Sequence, residues 1–308
     1  MNISVVICTY NNCKRLGITL SAILQCKIPQ GVSWELVIVN NNCTDKTDKV
    51  VEEYANTLPI SYVYAPNQGL SRARNTGLKN VKGELVVFID DDVLIPKNWL
   101  KEIWAAYEEK PEGYFFGGPI ESLFEGENPD DQLLELTMPS IKGLYYGADA
   151  RELRLNEYFV GANWACPREY VIKAGGFDLK KGPNSPGGKS TSGEETHLMD
   201  KLRNMGLIPY YLPNIPVKHF VPVKKTKLTH IARRWESLGY ETAMLDVKSY
   251  KGKSISGIPL WMYKRYLLFL CKWLLKKVTL QQGYKEYRDL KVFLGKLKAV
   301  KGSNSLHE

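Results

Sequence analysis

Strand-length apolar runs, rich in β-branched and aromatic residues, recur through the first part of the chain: Val5–Cys8, Leu36–Val39, Tyr62–Tyr64, Leu85–Ile89 and Tyr114–Phe116. Between the first two, Leu16, Leu20, Ile23 and Leu24 fall at helical spacing, and between the second and third, Val50, Val51, Tyr54, Ala55 and Leu58 repeat the pattern. Strands alternating with helices predict βαβ units, hence an α/β fold with a mainly parallel sheet flanked by helices. In such sheets ligands gather beyond the carboxyl ends of the strands. The residues standing there are polar: Thr9-Tyr10-Asn11-Asn12, then Asn40-Asn41-Asn42-Cys43-Thr44-Asp45, then Asp90-Asp91-Asp92.

The acidic triplet is the strongest chemical signal. Adjacent carboxylates at a buried strand end repel one another unless a cation binds them. Magnesium and manganese prefer oxygen ligands and often use one or two carboxylates together with substrate phosphates. In an extended segment Asp90 and Asp92 point to one side, which suits a paired role. Taken alone, the triplet is also compatible with an acidic turn.

Four motifs occur in order: Ser4-Val5-Val6-Ile7-Cys8-Thr9-Tyr10-Asn11, Val37-Ile38-Val39-Asn40-Asn41, Asn67-Gln68-Gly69-Leu70-Ser71-Arg72-Ala73-Arg74-Asn75 and the Asp90–Asp92 triplet. Together they resemble the nucleotide-binding half of family 2 glycosyltransferases with the GT-A fold. The likeness continues in Gly161-Ala162-Asn163, Gly175-Gly176-Phe177-Asp178, Gly193-Glu194-Glu195 and Val217-Lys218-His219, and covers roughly residues 3–220. It implies an inverting enzyme that moves a sugar from a nucleotide-sugar donor to an acceptor hydroxyl in cell-surface or lipid-linked glycan synthesis. By the same resemblance Thr9 and Tyr10 hold the base and ribose, with Asn11, Gly69 and Asp91 in the same nucleotide-sugar site. Arg74 approaches the nucleotide or its phosphates, Asp90 contacts ribose, Asp92 binds Mn2+ or Mg2+, and His219 helps hold that metal or the leaving diphosphate.

Two positions depart from the family pattern. Asn40 stands where an Asp usually accepts from the uracil ring; an amide can both accept and donate, so uridine is favoured less firmly. The usual Glu-Asp pair is Glu194-Glu195, with Glu195 in the place of the base. Both acids open a helical pattern of Leu198, Leu202 and Met205, where the helix dipole favours ionised carboxylates. Trp164 and Phe177 are large enough to stack on sugars, but core packing is their commoner fate. A sugar nucleotidyltransferase is disfavoured because Thr9-Tyr10-Asn11-Asn12 replaces a glycine-rich phosphate loop. A non-catalytic carbohydrate-binding relic is the other alternative, motivated by the two departures.

The six cysteines are scattered with no CxxC pair, and the N-terminus reads as a strand rather than a signal peptide. Both features point to a reducing cytosol. From Val223 onward there are 19 Lys and Arg against 6 Asp and Glu, while the preceding residues hold 23 basic and 27 acidic groups. The resemblance implies a nucleotide-sugar-binding half over 1–118 and an acceptor-binding half over 119–222, and the charge split sets off a basic amphipathic helical region over 223–308. In that tail Leu260, Tyr263, Leu267, Leu270 and Leu274 form one stripe, Lys264, Arg265, Lys272 and Lys276 lie opposite, and Trp261, Tyr266 and Trp273 flank it. This composition suits a helix lying on an anionic membrane, peripheral on the inner face, and Lys272 interrupts the apolar run too early for a spanning helix. An amphipathic helix packed on the catalytic domain is the alternative, and no nucleic-acid motif accompanies the charge. Arg233-Arg234-Trp235 matches the end of the Gln-x-x-Arg-Trp motif of processive synthases, but Ile231 stands at the Gln position, which favours single addition. Gly182-Pro183-Asn184-Ser185-Pro186-Gly187-Gly188 reads as a loop, either gating the substrate or merely superficial.

Overall fold

The computed structural model describes residues 1–110, 112–182, 193–243 and 252–304. Residues 183–188 of the glycine- and proline-rich stretch therefore lie outside the described residues. The chain divides into two compact units, one formed by Met1–Leu123 with Lys142–Phe220, the other by Phe124–Ile141 with Val221–Glu308.

The first unit is built on an eight-stranded sheet. Its leading elements are β1 (Ile3–Thr9), α1 (Cys13–Leu24), β2 (Trp34–Asn40), α2 (Thr47–Tyr54), β3 (Ile60–Tyr64), α3 (Leu70–Asn80), β4 (Leu85–Asp90), β5 (Val93–Leu94) and α4 (Trp99–Glu109). Then follow β6 (Tyr114–Gly117) and β7 (Ile120–Phe124) and, after α5 (Asp131–Glu135) and α6 (Pro139–Lys142) of the second unit, β8 (Arg151–Glu152), β9 (Trp164–Pro167), α7 (Arg168–Lys173), α8 (Glu194–Asn204), β10 (Ile208–Tyr211) and β11 (Val217–Val221). The strand order is β3-β2-β1-β4-β9-β6-β10-β8. β1 pairs in parallel with β2 and β4, β2 with β3, and β6 with β10, whereas β9 runs against β4 and β6, and β8 against β10. The fold is thus a mixed, mainly parallel α/β sheet.

β1 and β4 are continuous apolar runs because both faces of the sheet are covered. On one face α1 buries Leu16, Thr19, Leu20 and Ile23, while Leu24, expected on that stripe, is exposed at the helix end. The other face holds Phe88, Trp164 and Phe177, with Phe88 stacked on Trp164 at 4.7 Å and edge-on to Phe177 at 5.4 Å between ring centroids. Trp164 and Phe177 are therefore core residues. Asn163, wholly buried, accepts from Trp99 Nε1 at 2.9 Å and donates to the Pro119 and Ile215 carbonyls. Along α8 the buried residues are Glu194, Leu198, Met199 and Leu202, while Met205, expected on the apolar stripe, lies past the helix end and is exposed.

In the second unit α9 (Val223–Thr226) precedes α10 (Leu228–Thr242), and two further helices span Leu260–Val278 and Tyr284–Asn304. α10 buries Ile231, Ala232 and Trp235, and Trp235 Nε1 donates to the Leu136 carbonyl at 2.9 Å. The Arg-Trp motif thus supplies a core tryptophan. α10 and helix Tyr284–Asn304 meet backbone to backbone at Gly239 and Gly295, where a Cβ would strike Val292 and Glu236. No helix among the described residues is long and apolar enough to cross a membrane.

Candidate active site

Register brings the polar strand ends together. Cys8 lies opposite Asp90 and Thr9 opposite Asn40, so the carboxyl ends of β1, β2 and β4 are level. The loops that follow are laced to one another. Asn11, with φ 49°, donates to Thr44 Oγ1 at 3.2 Å and accepts from the Thr44 N–H at 2.7 Å. Asp45 accepts from the Cys13 N–H at 2.9 Å, setting a carboxylate on the start of α1. Tyr10, in the loop so anchored, is left 41% exposed.

Arg74 is the hub. It sits on α3 behind Gly69, whose φ is 138°, and is only 3% exposed. Its guanidinium reaches Glu195 at 2.9 Å, Glu194 at 3.1 Å and Asp90 at 3.4 Å, and lies over the Phe177 ring. Burial pulls its pKa down, but Glu195, Glu194 and Asp90 outweigh that and hold it above the ordinary arginine value. Close approach is possible because residue 161 is glycine: a Cβ there would collide with Glu195 Oε1 and Arg74 Nη2.

Asp90, Asp92 and His219 each offer a ligand atom, and these atoms all lie within 4.8 Å of one another. His219 Nε2 is 3.2 Å from Asp92 Oδ1, while its Nδ1 is buried with no partner. The histidine arrives through a short antiparallel ladder in which His219 pairs with Val93, and the Phe220 N–H donates to the Asp92 carbonyl at 2.9 Å. Burial, only partly offset by Arg74, raises the Asp90 pKa, with Asp92 adding to the rise. Asp91 is pushed up to about 7, by burial first and then by Asp92, although the Asn12 amide donates to it at 2.8 Å. Two carboxylates and an imidazole with a buried orphan nitrogen fit a divalent cation such as manganese or magnesium.

Glu194 and Glu195 open α8. Glu194 is 3% exposed, and burial followed by the neighbouring Glu195 raises its pKa to about 7 against the pull of Arg74. Glu195 keeps more accessible surface, so of the two it is the better placed to meet a solvent-borne substrate.

Asn40, expected at the base, is engaged within the protein: its amide donates to Asp48 and to the Tyr62 hydroxyl, and its carbonyl accepts from the Cys43 N–H at 2.7 Å. Its neighbour Asn41, to which the sequence reading assigned no role, is buried with Oδ1 unpartnered. Thr9 is buried too; its hydroxyl lies near enough to favour ionised Asp91 yet satisfies no hydrogen-bond geometry. Unmet polar atoms thus stand at the ends of β1 and β2.

The family model described as "Glycosyl transferase family 2" matches residues 4–174. The chain belongs to glycosyl transferase family 2. Staphylococcus aureus TarS, a poly(ribitol-phosphate) beta-N-acetylglucosaminyltransferase, is 32% identical over 144 residues, 44% of this chain and 25% of TarS. The match thus spans about a quarter of that relative's length. A glucosyl-dolichyl phosphate glucuronosyltransferase from Haloferax volcanii is 24% identical across 80% of this chain and 78% of its own. Among solved structures, the mannosyltransferase PcManGT from Pyrobaculum calidifontis, in complex with GDP-Man and Mn2+, superposes with a TM-score of 0.58 at 20% identity, covering 100% of this chain and 88% of its own. Residues 1–349 of TarS with UDP-GlcNAc give 0.57 at 16% identity, covering 97% and 92%. At these identities the structures establish a shared GT-A fold for this family 2 chain.

Proposed function

We propose that this family 2 protein is an inverting, metal-dependent glycosyltransferase that moves a sugar from a UDP-sugar to a hydroxyl of a cell-surface or lipid-linked glycan. One observation carries the reading: Arg74 joins the Asp90–Asp92–His219 trio to the Glu194–Glu195 pair, so a cation-binding set and a proton acceptor share one site. A bound Mn2+ or Mg2+, held by Asp90, Asp92 and His219, would supply Lewis-acid charge for a leaving diphosphate. Thr9 and Asn41 offer buried polar atoms for the base, and Tyr10 an exposed ring beside them. Glu195 takes the proton from the acceptor hydroxyl, and Arg74 fixes its position. Glu194, readily protonated near neutral pH, can donate a hydrogen bond to the acceptor. A single base facing the anomeric carbon opposite the leaving group gives inversion.

The relatives named for poly(ribitol-phosphate) and dolichyl phosphate glycosylation support an acceptor of the cell envelope. The UDP-GlcNAc and Mn2+ complexes of structural neighbours support the donor class and the ion. Exposed leucines on helix Leu260–Val278 support residence on the cytoplasmic membrane face. The test is a panel of nucleotide sugars scored for manganese-dependent release of free nucleotide. UDP release from a UDP-sugar, lost on chelation, is expected; turnover that survives thorough chelation would refute the metal-dependent reading.

A further inference from the structure

Three side chains on one face of α3, Ser71, Arg74 and Asn75, stand at i, i+3 and i+4, and each reaches across to the later part of the first unit. Arg74 holds Glu194 and Glu195; the other two hold backbone. The Asn75 amide donates to the Phe177 carbonyl at 2.8 Å and accepts from the Phe177 N–H at 2.9 Å, so it pairs with that residue as a neighbouring strand would. Ser71, itself buried, donates its hydroxyl to the Lys181 carbonyl at 2.7 Å. Between these anchors the chain closes a turn, in which the Lys180 N–H donates to Asp178 Oδ1 at 2.9 Å and the Lys181 N–H to the Asp178 carbonyl at 3.1 Å.

The far end of the turn lies against Glu194. A Cβ on Gly182, whose φ of 96° suits glycine, would stand 3.0 Å from Ser71 Oγ, 3.3 Å from the Glu194 carboxyl carbon and 3.4 Å from its Oε2. Arg74 Nη1 meets the other oxygen, Oε1, at 3.1 Å, and the same nitrogen holds Glu195 Oε1 at 2.9 Å. One guanidinium nitrogen thus serves both acids, and its hold on Glu195 is least contested while Glu194 is uncharged. We infer that Ser71 and Asn75 are positioning residues for Glu194: by docking residues 177–182 on α3 they lay the Gly182 backbone over Glu194 Oε2 and keep water from that carboxyl. The charged groups facing it are Arg74 from α3 and Glu195 from its own helix, with Asp90 across the guanidinium, whereas Lys181 and Asp178 of the turn bear on His197. An uncharged Glu194 can donate a hydrogen bond to an acceptor hydroxyl, so the inference deepens the transfer reaction proposed above and rests on it for the purpose of the contact.

The first readout needs no turnover. In the full chain, carrying 13C at its glutamate side-chain carboxyls, the Glu194 resonance is assigned by its loss in Glu194→Gln. Its titration midpoint should fall by about one unit in Ser71→Ala, because water reaching the carboxyl favours the charged form. Asn75→Ala releases the other end of the turn and should move the midpoint the same way; it decides the matter if Ser71→Ala fails to melt cooperatively. A midpoint unmoved in a folded variant would overturn the inference. The second readout is transfer. Near pH 7, Ser71→Ala should raise the acceptor KM roughly three- to tenfold, the range for one lost hydrogen bond, with the donor KM unchanged. In a Glu194→Gln background the same substitution should change neither, since a residue that acts through another has no effect once that other is gone. Equal losses in both backgrounds would overturn the positioning role. A wild-type chain that transfers no sugar would overturn the glycosyltransferase reading alone, because the carboxyl titration reads the contact directly.

Discussion

At the strand ends of the first unit, polar atoms are buried short of partners; along helix Leu260–Val278 of the second, apolar side chains stand exposed without cover. Asn41 Oδ1 and His219 Nδ1 are enclosed and unpaired, and His219 stands with the Asp90 and Asp92 carboxylates in a set of possible metal ligands. Leu275 and Val278 face solvent between lysines. Neither condition is favoured in a finished globular surface. The first calls for a polar, cationic occupant; the second for an apolar cover bearing negative charge. The comparison teaches that the two units expect different ligands, so their functions should separate under mutation.

The sharpest separation comes from Asp92→Ala. Transfer should fall by on the order of 10³-fold or more, as when a group stabilising developing charge is lost, while association with anionic vesicles is unaffected. Vesicle binding that fell in parallel would break the comparison. Glu195→Gln should lower turnover about 10²–10⁴-fold with donor binding nearly unchanged, the loss expected for a general base. Glu194→Gln should act more on acceptor affinity; the reverse ranking would make Glu194 the base. Arg74→Met strips the cation from three carboxylates and should destabilise the fold by about 3–5 kcal/mol, read as a lower midpoint in urea.

The smallest effect is a pH dependence. Folding raises the Glu194 pKa from 4.5 to about 7, so between those values the folded protein keeps a proton that the unfolded chain has released. Its contribution to stability is complete below about pH 4.5 and is lost as pH rises towards about 7. In metal-free buffer Glu194→Gln should flatten the fall in melting temperature across that window. An identical slope in the variant would show that Glu194 is not its source.

The sheet was legible because β1 and β4 are buried on both faces, which forces uninterrupted apolar runs, and the acids that end β4 are adjacent in sequence. The family was legible for the same reason: its motifs are short and lie at strand ends. What could not be read was how distant side chains share partners. Asn40 and Asn41 are chemically identical, and only the positions of Asp48, Tyr62 and Cys43 show which amide is already satisfied. The role of Arg74 was obscure because its carboxylate partners at positions 194 and 195 come from a distant helix. In the tail, periodicity identified an amphipathic helix, but with tryptophans and leucines on several faces it could not say which face another helix would cover. Met205 fell off the buried stripe because α8 stops one residue short of it.

The pairing of Val93 with His219 has a consequence for how the protein comes into being. A chain emerging from the ribosome displays Asp90, Asp91 and Asp92 early, when the strands that carry the core of the sheet already exist. Glu194 and Glu195 follow much later, and His219 later still, on the last strand of the first unit. No chain shorter than 195 residues owns all the carboxylates that Arg74 gathers, and none shorter than 219 owns the complete trio. On the proposed function, a nascent chain that stalls before His219 should be inert.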